Sequence, residues 1–171
     1  YYLMGEYESI FARTGIAYSQ RPDKAGNLAA VEAEDYVLMI ARLKNGSSGT
    51  IEASKVATGT NDELRFEIHG DTGALKFNLM EPNWLDFYDN TVTDRPFGGV
   101  KGYTKIECVQ RYEKPGGDFP ASKVSIGWLR GHVHCLYNFL SCIYDGRQAS
   151  PSFTEGAYIQ RVMEKAYESD K

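Results

Sequence analysis

The chain has 171 residues, 42% hydrophobic and 25% charged, with a formal net charge of -4 and a sequence pI near 5.4. That length suits one domain able to bury a core without metal or disulfide staples. The acidic balance and scattered Lys and Arg argue against nucleic-acid and anionic-membrane partners, and no apolar run approaches the roughly 20 residues that cross a bilayer.

In chain order, Tyr1 to Met4 reads as the end of a helix stopped by Gly5. With no initiator Met and no basic-then-apolar leader at the start, the expectation is an excised domain. Glu6 to Ser19, rich in Ile, Phe, Thr and Tyr, predicts a long first strand. Arg21 to Ala33 carries Pro22, Gly26 and Asn27 and reads as a loop. Strands are expected over Asp35 to Leu43 and Thr50 to Ala57, joined at Asn45-Gly46, a pair that tolerates the positive φ of a tight hairpin.

Leu64 to Gly70 should pair with Ala74 to Leu79 across Asp71-Thr72-Gly73, continuing an antiparallel meander. Trp84 to Tyr88 and Tyr103 to Tyr112 are further strand candidates, separated by an exposed excursion around Arg95 to Gly99, and Pro115 to Ser125 is another loop. The period then changes to 3.6. Leu129, Val133, Leu136, Leu140 and Ile143 define one apolar helical face, ended by Asp145-Gly146. A second helix starts at Ser152, with Glu155 placed to close a capping box and Ile159, Val162, Met163 and Ala166 forming its buried side. Strands first and helices last predict α+β: a large open, mostly antiparallel sheet with helices on one face.

The chemistry-bearing residues give fewer signals. Three cysteines make no disulfide framework, and Cys135 and Cys142, seven apart on one helix, would lie about 10 Å apart, which suggests a reducing cytoplasm. His132 and His134 point to different sides of a helix, and His132 with Cys135 makes only two metal ligands, so metal is not expected. Trp128, Arg130 and His132 cluster at a helix N-terminus, where a sugar hydroxyl or a neighbouring subunit could dock. The alternative places Trp128 in the core and His132 against the sheet edge. Arg21 and Lys24 occupy a loop that could reach a cofactor cleft, Lys55 could face substrate or solvent, and His69 reads as structural. No Ser-His-Asp arrangement or carboxylate pair is readable. Aromatics at 13%, including 12 Tyr, suit broad sheet faces and sugar- or subunit-contacting surfaces.

The order of several short motifs is more informative than any one of them. Glu34-Asp35, Asn45-Gly46, Ser54-Lys55 with Gly59, Gly70-x-x-Gly73-Ala74-Leu75, Phe139 with Asp145-Gly146-Arg147, and Pro151 leading to Gly156 and Ser169 follow one another along nearly the whole chain. In that order the chain resembles the C-terminal domain of the Gfo/Idh/MocA (glucose-fructose oxidoreductase / inositol dehydrogenase) family. The resemblance implies a two-domain parent enzyme, NAD(P)-dependent, that transfers hydride between the nicotinamide and a sugar, polyol or related hydroxy compound. It also implies a homodimer or homotetramer built through the open sheet face, and a cytoplasmic home.

No Gly-x-Gly-x-x-Gly occurs, so residues 1–171 are expected to form a single substrate-binding and oligomerisation domain that binds no NAD or NADP, with the Rossmann half absent. The family's catalytic Lys, in a Glu-Lys-Pro motif, should lie upstream of Tyr1. Glu113-Lys114-Pro115 matches those three letters but runs into Gly116-Gly117 with no Rossmann unit before it, and is not assigned catalysis. Arg21, Lys24, Lys55, Trp128, Arg130 and His132 remain the substrate-binding candidates. The rival expectation is a free-standing sheet-based binding or assembly module without catalytic activity.

Overall fold

A computed structural model describes residues 1–109, 118, 121 and 123–171. Its elements divide into two compact units, one formed by Tyr1–Gly59 with Ser150–Lys171 and the other by Thr60–Ala149. The fold is α+β, and every strand pairing among the described residues is antiparallel.

In the first unit, β1 (Tyr7–Gly15), β4 (Tyr36–Leu43) and β5 (Ser48–Ser54) form a sheet ordered β1-β4-β5. The two-residue period sends Ala12, Val37, Met39, Ala41 and Leu43 to one face, while Phe11, Leu38 and Ile40 stay exposed on the other. At the end of β1, a Cβ on Gly15 would meet the Tyr36 ring at 2.2 Å, so only glycine fits beneath that ring as placed. Asn45 and Gly46 turn β4 into β5, with Gly46 at φ 87° and the Asn45 side chain accepting the Ser47 amide at 3.0 Å.

Helix α2 (Phe153–Asp170) packs against β1. Its start is the expected capping box: Ser152 Oγ accepts the Thr154 amide at 3.1 Å and Glu155 accepts the Ser152 amide at 2.7 Å. Helix side chains then satisfy the open edge of β1. The Tyr7 amide donates to Tyr158 Oη at 2.7 Å, the Ala12 amide donates to Ser169 Oγ at 3.0 Å, and the Thr14 hydroxyl donates to Asp170. The two edge amides bonded in this way are withdrawn from pairing with another strand. Of the expected buried side of α2, Ala166 is buried and Ile159 and Val162 are half-buried, but Met163 is exposed.

The stretch from Arg21 to Ala33 is not a plain loop. β2 (Gln20–Pro22) and β3 (Leu28–Ala30) pair as a small hairpin. Pro22 and Gly26 read as breakers, yet Pro22 ends its strand and Gly26, at φ 87°, makes the turn. Asp23 closes that turn by accepting the Ala25 and Asn27 amides at 2.8 and 2.9 Å.

The second unit holds the meander β6 (Arg65–His69), β7 (Gly73–Asn78), β8 (Trp84–Asp89) and β9 (Tyr103–Glu107), ordered β6-β7-β8-β9. At the β6–β7 turn, a Cβ on Gly73 would meet the Tyr88 carbonyl at 2.5 Å. Register puts Phe66, Phe77, Ile68, Leu75, Phe87, Leu85 and Ile106 on one face. The opposite face carries two polar rows, His69–Ala74–Tyr88–Tyr103 and Glu67–Lys76–Asp86–Lys105. Helix α1 (Trp128–Tyr144) follows an approach held by Asn83, whose Oδ1 accepts the Ile126 amide at 2.7 Å.

The α1 face expected to be apolar exists as a stripe, but Leu129, Leu136, Leu140 and Ile143 are exposed in this chain. Residues 110–112 of the expected Tyr103–Tyr112 strand, most of the Pro115–Ser125 loop and the Glu113-Lys114-Pro115 segment lie outside the described residues.

Candidate functional site

The most constrained polar group of the first unit is Asp35, whose side chain is 0% exposed. It stands at the mouth of β4, in phase with the inward Val37 and Met39, so strand alternation drives a carboxylate into the protein. A buried carboxylate is costly unless hydrogen-bonded and paired. Three hydrogen-bond donors and one further cation meet that requirement. The Ala17 and Tyr18 amides reach Oδ2 at 2.8 and 3.3 Å, Arg21 Nη2 reaches Oδ1 at 2.6 Å, and Lys55 Nζ lies 3.8 Å from the same oxygen.

Burial by itself pushes the Asp35 carboxyl upward. The two amides and the Arg21 and Lys55 cations outweigh it and leave the acid below its ordinary value, hence ionised near neutrality. Its backbone is tied as firmly: the Asp35 amide donates to the Gly15 carbonyl at 2.7 Å, and its carbonyl accepts the Lys55 amide at 3.0 Å.

Two of the sequence-predicted candidates, Arg21 on β2 and Lys55 just past β5, are therefore brought together by one carboxylate. Their side chains remain 44% and 54% exposed. The Arg21 guanidinium also lies 5.5 Å from the Tyr18 ring centroid, within cation–π distance. Glu34 also lies within electrostatic reach of Lys55, so two carboxylates face two cations, and the outward donors of guanidinium and ammonium suit hydroxyl oxygens of a solute. The third candidate of this unit, Lys24, is exposed in the β2–β3 turn and joins none of the described ion pairs.

Near this cluster, an apolar cavity of 90 Å³ runs between β4 and α2. On its rim Tyr167 Oη donates to Glu34 Oε1 at 2.7 Å. That bond lowers the Glu34 carboxyl and raises the Tyr167 phenol.

The second unit separates the other three candidates. Trp128 is 74% exposed and is not a core residue of this chain; His132, one turn on, meets it edge to face at 5.1 Å. Arg130 is buried instead, with Nη2 on the Ala121 carbonyl at 3.0 Å and Nη1 near the Val109 carbonyl at 3.5 Å. Its guanidinium ties the approach segment to α1, a structural use of a side chain that sequence alone grouped with its surface neighbours. Among the described residues no group of three His, Cys, Asp or Glu side chains could hold a metal ion, and the three cysteines are free thiols.

Sequence reasoning passed over Asp35 as a site residue and His69, Tyr88, Asn90 and Tyr103 as a group. A signal existed for Asp35: a charged residue at an inward position of a strand demands buried partners. Of the other four, His69, Tyr88 and Tyr103 meet through strand register, which spacing along the chain does not reveal, and Asn90 joins them just past the end of β8.

The family model described as the oxidoreductase family, C-terminal alpha/beta domain (Gfo/Idh/MocA) matches residues 1–171. Levoglucosan dehydrogenase of Pseudarthrobacter phenanthrenivorans is 26% identical over 98% of this chain and 45% of its own length. The solved structure of levoglucosan dehydrogenase in complex with NADH and L-sorbose superposes with a TM-score of 0.90 at 26% identity, covering 99% of this chain and 44% of that one. An oxidoreductase domain protein from Kribbella flavida superposes with a TM-score of 0.83 at 26% identity, covering 94% of this chain and 41% of that one. The chain thus spans less than half the length of the curated relatives it matches.

Proposed function

The chain belongs to the oxidoreductase family as its C-terminal alpha/beta domain, and from that premise we propose that it is the substrate-facing and assembly half of a nicotinamide-dependent sugar or polyol dehydrogenase. The observation that carries this reading is the whole-length match to a domain that, in levoglucosan dehydrogenase, accompanies NADH and a sugar. The absence of Gly-x-Gly-x-x-Gly from the sequence supports the division of labour, since a dinucleotide pyrophosphate needs bare backbone at a helix N-terminus.

In the proposed reaction a carbinol C–H bond breaks, its hydride goes to the nicotinamide, and the hydroxyl proton passes to a base. Cofactor and base belong to a nucleotide-binding half outside this sequence. The residues of this chain bind and orient: Arg21 and Lys55, held by Asp35, offer donors to substrate hydroxyls at one wall of the cleft. The 171-residue chain alone is expected to be inactive.

The proposed partner is a second copy of the chain, seated on the exposed Phe11, Leu38 and Ile40 face of the first sheet. NAD and NADP both remain candidates for the parent, as do homodimer and homotetramer, and the compartment proposed is the cytoplasm. Steady-state kinetics of the full-length parent with levoglucosan test the wall: Arg21→Ala should raise KM about tenfold with kcat nearly unchanged, as expected for lost uniform binding. An unchanged KM would remove Arg21 from the substrate wall. A parent without any nicotinamide-reducing activity would favour the free-standing module instead.

A further inference from the structure

The last turn of α2 is fastened to two strands at once. On β1, Ser169 Oγ accepts the Ala12 amide at 3.0 Å, Asp170 accepts from the Thr14 hydroxyl, and the Asp170 carbonyl and carboxylate take Arg13 Nη1 at 2.9 and 3.4 Å. Three residues before Asp170, Tyr167 reaches instead to the mouth of β4, where its Oη donates to Glu34 Oε1 at 2.7 Å. Packing does little to hold that ring. Tyr167 follows Met163 by four residues on one side of the helix, is 44% exposed and borders the apolar cavity of 90 Å³, which leaves the hydroxyl bond to fix its position.

Glu34 carries this bond to the Asp35 cluster. The two adjacent carboxylates share Lys55: its Nζ stands 3.8 Å from Asp35 Oδ1, too long for a hydrogen bond, and Glu34 lies within electrostatic reach of it. An ammonium on a flexible four-carbon stem, with a side chain 54% exposed, takes its place from such charges. We propose that Tyr167 is a positioning residue for the cleft wall: by holding Glu34, its hydroxyl sets the place of the Lys55 ammonium between the two carboxylates. The proposal rests on the reading that Arg21 and Lys55 donate to substrate hydroxyls. Tyr167 itself makes no contact with substrate; it acts through a carboxylate.

Electrostatics give the arrangement a signature. The Tyr167 bond is the largest influence holding the Glu34 carboxyl below its ordinary value; its own backbone amide and Lys55 act in the same direction, and burial and the Asp35 charge oppose them. The groups facing Glu34 are thus Tyr167 from α2, Lys55 beyond β5 and the neighbouring Asp35, while Arg13 on β1 is engaged by Asp170 at 3.4 Å. A carboxyl held low stays ionised further into acid. Without the phenol, Glu34 returns toward its ordinary value and releases Lys55 at a higher pH, whereas Asp35 titrates alike in both proteins.

The test pairs Tyr167→Phe with Glu34→Ala in the full-length parent, assayed with levoglucosan, and uses Arg21→Ala as the control for the wall itself. Tyr167→Phe should raise KM roughly threefold with kcat nearly unchanged, the part of one charge-assisted hydrogen bond that reaches Lys55. Its KM should begin to climb on acidification at a higher pH than in the wild type, and the substitution should add nothing in the Glu34→Ala background. In the 171-residue chain, carboxyl ¹³C shifts should show the Glu34 midpoint moved upward by Tyr167→Phe. A KM that moves with Arg21→Ala but not with Tyr167→Phe, an unmoved Glu34 midpoint, or an equal Tyr167→Phe effect without Glu34 would overturn the proposal and leave the substrate wall standing. Unchanged KM in all three variants would instead overturn the wall, and the proposal with it.

Discussion

Asp35 illustrates how a single residue can organise a wall of side chains. Its carboxylate is buried, so its stability contribution is present only while it is ionised. The folded-state value is depressed relative to the unfolded one near 3.9; the contribution is therefore complete above that value and lost as pH falls through the folded value. The thermal midpoint of the wild-type chain should accordingly fall steeply below about pH 4. Asp35→Asn should lower the midpoint by several degrees at pH 7, because Arg21 and Lys55 lose their anion, and should flatten that acid dependence. Equal acid slopes in the two proteins, followed by circular dichroism, would show that the cluster is electrostatically idle. Arg21 and Lys55 were legible in the sequence as candidates because cations after strands invite the question. Their common partner was not, since it lies 14 residues from one and 20 from the other in number and meets them only through pairing of β4 with β5 and the return of β2.

At the scale of elements, local signals were readable wherever the chemistry was itself local. The Asn45-Gly46 turn and the Ser152–Glu155 box each depend on residues within four positions, and both form as read. The β2–β3 hairpin escaped because Pro22 and Gly26 carry the same letters in a loop and in a short hairpin; the Asp23 bonds that distinguish them become visible only in three dimensions. Helix α1 taught the converse. Its apolar period is sound, yet Leu129, Leu136, Leu140 and Ile143 remain exposed within this chain, because a period reports a face and not what covers it. Two substitutions probe the element contacts. Ser152→Ala should cost about 1 kcal/mol, measured by urea unfolding, as loss of an N-cap does. Ala12→Leu, at a site 0% exposed beneath α2, should cost about 1–3 kcal/mol through overpacking. A neutral Ala12→Leu would mean that α2 does not press on β1 in solution.

For the molecule as a whole, the antiparallel meander and the strands-then-helices order were legible because they follow from chain order alone. The grouping of strands into β1-β4-β5, β2-β3 and β6-β7-β8-β9 was not, because it depends on which edges α2 and the turns leave available. The proposal that a second copy sits on the exposed Phe11, Leu38 and Ile40 face predicts self-association. Sedimentation velocity should show mass rising with concentration, and Leu38→Lys with Ile40→Lys should return it to a monomer. A wild-type monomer at high concentration would argue against a partner on that face.

The measurement closest to the central proposal is absorbance at 340 nm with NAD and levoglucosan, comparing the full-length parent with the 171-residue chain. The expected result is sugar-dependent NADH formation by the parent and none by the chain. Nicotinamide reduction by the chain alone, or none by a folded parent across anhydrosugars, ketoses and cyclic polyols, would contradict it.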